Sequence, residues 1–348
     1  MDTRHPQRHL LWPLLILLAL FGQGLRAAEH LPALHIDAHD ISVSGISSGG
    51  YMAVQFAVAH SASVRGAGIV AAGPYHCAED SVWQATGPCM RGDTPIDVRR
   101  LERYTRRQAA AGTIDPVAHL KGQRVWIFSG SKDETVAPHI GAALEAFYRR
   151  FTDAANITRV ADIPAAHAMP TFDFGRACDA TGEPFINDCD YDGAGTLLSW
   201  IYGPLQPKNA GTLSGRFIEF EQDDFTPSPR LHSLSATGWV YVPQVCAAGG
   251  YCRLHIAFHG CKQYQEMSYF DGNTPVRFGR TFIDHAGYNA WADSNRLVVL
   301  YPQTNTVLSN PNGCWNWWGY SDDSDYDTQR GKQIATVWRM VERLAGQR

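Results

Sequence analysis

The chain is short of several things. Its 348 residues contain no C-x-x-C pair, no block of Lys and Arg, no internal repeat and no low-complexity tract. Without that cysteine spacing the ligand pattern of structural zinc sites is missing, and no metal is expected. Without a basic block, a formal net charge of −4 provides no electrostatic footprint for nucleic acid or an anionic membrane. Long apolar runs are lacking as well. Residues 10–21 form an apolar stretch below the ~20 residues that span a bilayer, which argues against a membrane anchor. No cysteine closely follows it, which argues against a lipid anchor.

The same stretch suits an export signal. Arg4 and Arg8 precede it, and Leu25-Arg26-Ala27-Ala28 offers a small-residue cleavage site. Residues 1–27 are therefore expected to be removed, leaving 28–348 as one domain with no membrane attachment. Their loss takes away Arg4, Arg8, Arg26 and Asp2, and the net charge moves from −4 to −6. What remains is long enough for one full α/β core. All eight cysteines lie in it, and an even count behind an export signal implies an oxidising destination, extracellular or periplasmic. Their spacing suggests Cys77 with Cys89, Cys178 with Cys189, Cys246 with Cys252, and Cys261 with Cys314.

Short apolar runs alternate with longer amphipathic ones. Strands are expected at residues 68–72, 124–128, 157–163, 239–242, 254–258 and 297–301, and helices at 139–151, 281–293 and 330–344. Such alternation favours a mostly parallel sheet covered on both faces. The softest stretch, 204–215, carries Pro204, Pro207, Gly211 and Gly215 and joins two halves of one sheet.

The chemistry concentrates at Gly45-Ile46-Ser47-Ser48-Gly49, after an alternating stretch at 41–44 and before a helical run at 51–60. Glycines on both flanks permit a sharp strand-to-helix turn that lifts the Ser47 hydroxyl clear of the sheet. The same turn aims the Ser48 N–H at a reacting carbonyl. An ordinary Gly/Ser turn is the competing reading. A nucleophilic serine needs a base and an acid to orient it. Asp133, just past the strand at 124–128, is the acid candidate, although a turn or capping role accounts for it equally well. His167, past the strand at 157–163, is the base candidate. His255 alternates inside a strand and reads as a satisfied core histidine. The order Ser47, Asp133, His167 is that of an α/β-hydrolase triad.

A second oxyanion amide normally lies upstream of the nucleophile, and this chain has no room for it there. The segment His259-Gly260-Cys261, ending an apolar strand, is the substitute, with the Cys261 N–H as donor and its bridge to Cys314 holding the loop. The chain then reads as a circularly permuted α/β-hydrolase with its seam near 204–215.

His259-Gly260-Cys261, Trp291-Ala292-Asp293, Leu300-Tyr301-Pro302-Gln303 and Asn312-Gly313-Cys314-Trp315-Asn316-Trp317 resemble the secreted, single-domain, fungal-type poly(3-hydroxybutyrate) depolymerases. The resemblance runs in segment order from Ile41 to the C-terminal helix. It implies Ser47, Asp133 and His167 as triad, Ser48 and Cys261 as oxyanion donors, and Asn312 and Trp317 beside the crevice that grips monomer units. It also implies a polyester or oligoester substrate, no cofactor and a monomeric enzyme. No separate substrate-binding domain is recognisable, so attachment to a polymer surface falls to the catalytic domain. Trp315, Trp317, Trp318 and Tyr320 are the candidates for it, with at least one expected buried and one facing substrate. Two other functions compete: a feruloyl or acetylxylan esterase, and a non-catalytic polyester binder.

Overall fold

The computed structural model describes residues 1–2 and 28–347. Apart from Met1 and Asp2, the expected export signal lies outside the described residues. The central sheet contains eight strands: β1 (Ile36–Ile46), β2 (Val64–Val70), β3 (Arg124–Phe128), β4 (Ile157–Val160), β5 (Arg216–Glu221), β6 (Thr237–Val242), β7 (Cys252–Phe258) and β8 (Leu297–Tyr301). They lie in the order β4-β3-β2-β1-β7-β8-β6-β5. The pairs from β4 across to β8 are parallel, and β6 alone runs against its neighbours. The first half of the chain thus builds outward from the centre to one edge; the second half enters at the opposite edge with β5 and β6, crosses to β7 beside β1, and places β8 in the gap between β7 and β6. Residues 204–214 carry no regular structure and join these two edges.

Packing follows from the side-chain alternation of the strands. Ile41 and Val43 of β1 enter the core shared with α1 (Ser48–Ala59), α2 (Val98–Ala110), α3 (Pro138–Tyr148) and, once the chain returns, α5 (Lys332–Leu344). On the other face Ile46 packs in a second core with Leu197, Leu198 and Ile201 of α4 (Gly193–Tyr202) and with Tyr288 and Tyr301. Every residue of α1 is buried, which suits its small and apolar sequence.

Several elements differ from expectation. The helix expected at 281–293 is two helices, Thr281–His285 and Tyr288–Ser294, because Gly287 adopts φ 93° between them. The strand expected at 157–163 ends at Val160. The strand expected at 68–72 runs from Val64 to Val70, and Ala71 turns out of it with φ 51°.

Between β1 and β7 lies a buried polar network. His255 places Nδ1 2.7 Å from the Ser42 hydroxyl and Nε2 2.7 Å from that of Ser44, and Tyr202 and Tyr288 close the two ends. His255 is therefore a satisfied core histidine. Burial lowers its pKa to about 3, and His60, stacked on Trp338, is likewise lowered to about 3.

Both rings are neutral in the fold and free to protonate once unfolded, near pH 6.5. The unfolded chain therefore binds more protons below pH 6.5, and their contribution is present above that pH and lost as pH falls toward 3, each on the order of 5 kcal/mol. Calorimetric melting temperatures should fall steadily from pH 6.5 to 4, with a shallower slope in His255→Gln; an equal slope in that variant would contradict the assignment.

Candidate active site

The elbow is held by backbone contacts that leave no room for side chains. A Cβ on Gly49 would stand 2.3 Å from the carbonyl oxygens of Phe258 and His259, and one on Gly45 2.2 Å from the Gly49 oxygen and 2.8 Å from that of Phe258. β1 can pair with β7 through Gly45 opposite Phe258 only because these positions are glycine. Ser47 sits at the turn with φ 56° and ψ −123°, a conformation costing on the order of 1–3 kcal/mol for a residue with a side chain. It caps α1, so the Ser48 amide is among the first-turn donors that have no intrahelical acceptor.

The segment after β7 abuts this turn. A Cβ on Gly260 would stand 3.4 Å from the Ser47 Cβ. Three groups immobilise the segment. His259 accepts from the Thr304 N–H at Nε2 (3.2 Å), so its Nδ1–H donates to the Gly260 carbonyl at 2.7 Å. Burial lowers its pKa to about 4, which keeps that tautomer in place at neutral pH. Gln263 accepts from the Gly260 N–H at 2.6 Å and donates to the Pro184 and Phe185 carbonyls. The third is the Cys261–Cys314 disulfide. Closing a loop of 53 residues, it is worth about 4 kcal/mol in the chain-entropy account. The other three pairs suggested by spacing also form.

Asp133 and His167 meet at the end of β3 and β4. The two loops that carry them are zipped by the Ser131 N–H to Ile163 and the Lys132 N–H to Ala165, with Gly130 against the Ala165 carbonyl. Asp133 divides its two oxygens. Oδ1 accepts from the Thr135 and Val136 amides at 2.8 Å each, while Oδ2 lies 2.8 Å from His167 Nδ1. The turn role and the orienting role thus coexist in one carboxylate. With that carboxylate on Nδ1, the neutral ring carries its proton there and leaves the Nε2 lone pair free.

Ser47 lies where two cavities meet. One, of about 320 Å³, is lined by Ser47, His167, Thr135, Phe185, Cys261 and Lys262 among others. The second, about 270 Å³ and largely apolar, is lined by Ser47, Met90, Val136, Asn312, Trp317 and Trp318 among others. Met90, Cys261 and Asn312 border both.

The aromatic cluster is more deeply seated than its sequence suggests. Trp315 is fully buried, edge-on to Phe258 at 4.9 Å. Trp317 is only 5 % exposed and stacks on Tyr51 at 3.8 Å, so it forms a wall of the cavity. Tyr320 is buried, donating to the Cys314 carbonyl. Beside this cavity the most exposed apolar side chains are others: Trp83, 83 % exposed on the short helix Val82–Thr86 whose Val82, Ala85 and Thr86 line the cavity, and Leu308 beside the lining residue Ser309. This 82–90 wall was not singled out in the sequence; the Cys77–Cys89 spacing was its one visible sign.

A mostly parallel sheet with a strained serine at the C-terminal end of its central strand, lining one cavity with the histidine of a buried His–Asp pair, defines an α/β-hydrolase-type protein. Known proteins narrow that class. No protein-family model matches the chain. It is 45 % identical over 333 residues to the poly(3-hydroxybutyrate) depolymerase of Delftia acidovorans, covering 94 % of this chain and 64 % of that protein. It is 38 % identical to the polyhydroxybutyrate depolymerase of Talaromyces funiculosus, covering 94 % of this chain and 96 % of the relative. The crystal structure of the PHB depolymerase from Penicillium funiculosum superposes with a TM-score of 0.81 at 35 % identity, covering 91 % of this chain and 99 % of that one. A serine-to-alanine variant of PHB depolymerase in complex with an R3HB trimer gives 0.80 at the same identity and coverage. The chain belongs to the poly(3-hydroxybutyrate) depolymerase family.

Gly49→Ala should destabilise the protein by about 3 kcal/mol or more in urea unfolding, since the added methyl meets backbone that cannot move aside. A loss below ~1 kcal/mol would mean that β1 and β7 are not pressed together at the elbow.

Proposed function

We propose that the protein is an exported serine esterase that hydrolyses poly(3-hydroxybutyrate) and its oligomers through an acyl-enzyme. The observation that carries this reading is the meeting of the Ser47 turn, the Gly260-Cys261 segment and His167 on one cavity. Ser47 Oγ attacks an ester carbonyl while His167 Nε2 takes its proton, and Asp133 stabilises the imidazolium. The oxyanion is held by the Ser48 and Cys261 N–H groups, each worth about 3 to 4 kcal/mol of transition-state stabilisation. The C–O bond then breaks, His167 gives its proton to the departing alkoxide, and water repeats the cycle to free the acid and Ser47.

The apolar cavity bounded by Trp317 and Asn312, together with the names of the relatives, favours polyester over feruloylated or acetylated xylan. A non-catalytic binder would have no use for the strained Ser47 or the buried His–Asp pair. In this reading the chain is a circularly permuted α/β-hydrolase whose seam is the irregular 204–215 stretch, with one catalytic domain over 28–348 and a monomer as the working unit; the strand order supports it. Export rests on residues 1–27 as signal, on the four disulfides, and on there being no helix among the described residues long and apolar enough to cross a membrane. Trp83 and Leu308 flank the crevice and serve as contacts to a solid surface; a covered side chain of this size contributes about 1.5–3 kcal/mol.

Release of 3-hydroxybutyrate from amorphous polymer should vanish in Ser47→Ala and fall by about 10³- to 10⁴-fold in Asp133→Asn. Equal release by Ser47→Ala and the unmodified protein would remove the mechanism.

Trp83→Ala with Leu308→Ala should weaken adsorption to polymer film by tenfold or more, on the order of the burial energy of these side chains, with hydrolysis of a soluble short ester kept. Unchanged adsorption would place the contact surface elsewhere.

A further inference from the structure

A polyester chain carries no charge along its length, yet the cavity beside His167 has a cation in its wall. Among the described residues lining it, Lys262 is the sole permanently charged side chain. Its placement is fixed: Lys262 has φ 59°, its N–H donates to the Asn312 carbonyl at 2.7 Å, and it directly follows Cys261. Its ammonium lies 3.3 Å from Glu183, which lines the neighbouring cavity, and the pair is partly exposed.

The direction of the reaction says what meets that ammonium. His167 protonates the departing alkoxide, so the leaving fragment occupies the cavity that His167 lines, and the acyl fragment occupies the apolar one. In a hydroxyacid polyester the leaving fragment carries the carboxyl end of the chain. When it is a single unit, the carboxylate lies two carbons beyond the one bearing the leaving oxygen, within reach of the same cavity wall.

Resting on the depolymerase reading above, we propose that Lys262 binds the terminal carboxylate of short oligomers, exchanging Glu183 for it, and directs cleavage to the bond next to the acid end. The preferred soluble substrates are then free-acid hydroxyalkanoate dimers and trimers, and the first product is a hydroxyacid monomer.

The test compares the 3-hydroxybutyrate dimer as free acid with its neutral N-methyl amide, reading kcat and KM for each. The unmodified protein should prefer the free acid by about three- to fivefold, the size of a partly exposed charge pair, mainly through KM and less so at high salt. Lys262→Met should abolish that preference, Lys262→Arg should keep most of it, and Glu183→Gln should strengthen it. A preference unchanged in Lys262→Met, or the two probes losing rate in equal proportion, would overturn the proposal while leaving the esterase reading intact. Failure of the unmodified protein to cleave either probe in a Ser47-dependent way would overturn both.

Discussion

Everything in this molecule hangs on the parallel contact between β1 and β7, made by residues more than two hundred positions apart in the chain. Gly45 and Gly49 keep that contact free of side chains, so backbone meets backbone at distances no Cβ would tolerate. The serine turn is thereby pressed against the segment carrying the Cys261 amide. Local sequence alone would relax Ser47 out of its positive φ; the neighbouring strand, buried on both faces, prevents it.

Around this contact the protein uses fixed, fully partnered polar groups. His255 ties β1 to β7 through two serines, His259 locks the Gly260 carbonyl against Thr304, and Gln263 clamps the same loop to residues 184–185. In surroundings of low polarity each such bond resists rotation, because breaking it would strand a buried donor or acceptor. A preorganised oxyanion site needs that rigidity: donors already in place need not reorganise when charge develops.

Much of this was legible in the sequence. The strands at 124–128 and 297–301 have the expected bounds, since each is a short apolar run between clear breaks. The elbow was visible because turn chemistry is local, and the His-Gly-Cys segment because it ends an apolar strand. Long-range facts were less visible. Periodicity across 281–293 hides the break at Gly287, where the chain takes a positive φ with Ala194 close against it. Trp317 was expected beside the crevice and lines the apolar cavity, but its stacking on Tyr51 was not foreseen, because nothing near it in sequence announces that partner. The 82–90 wall and the Lys262–Glu183 pair depend on contacts between distant loops, which no local pattern encodes.

The most direct measurement is a crystal structure of the protein after reaction with a serine-directed organophosphate. The account predicts a single adduct on Ser47 Oγ, with the phosphoryl oxygen within about 2.7–3.1 Å of both the Ser48 and Cys261 amide nitrogens. An adduct on another residue, or a phosphoryl oxygen turned away from Cys261, would contradict it.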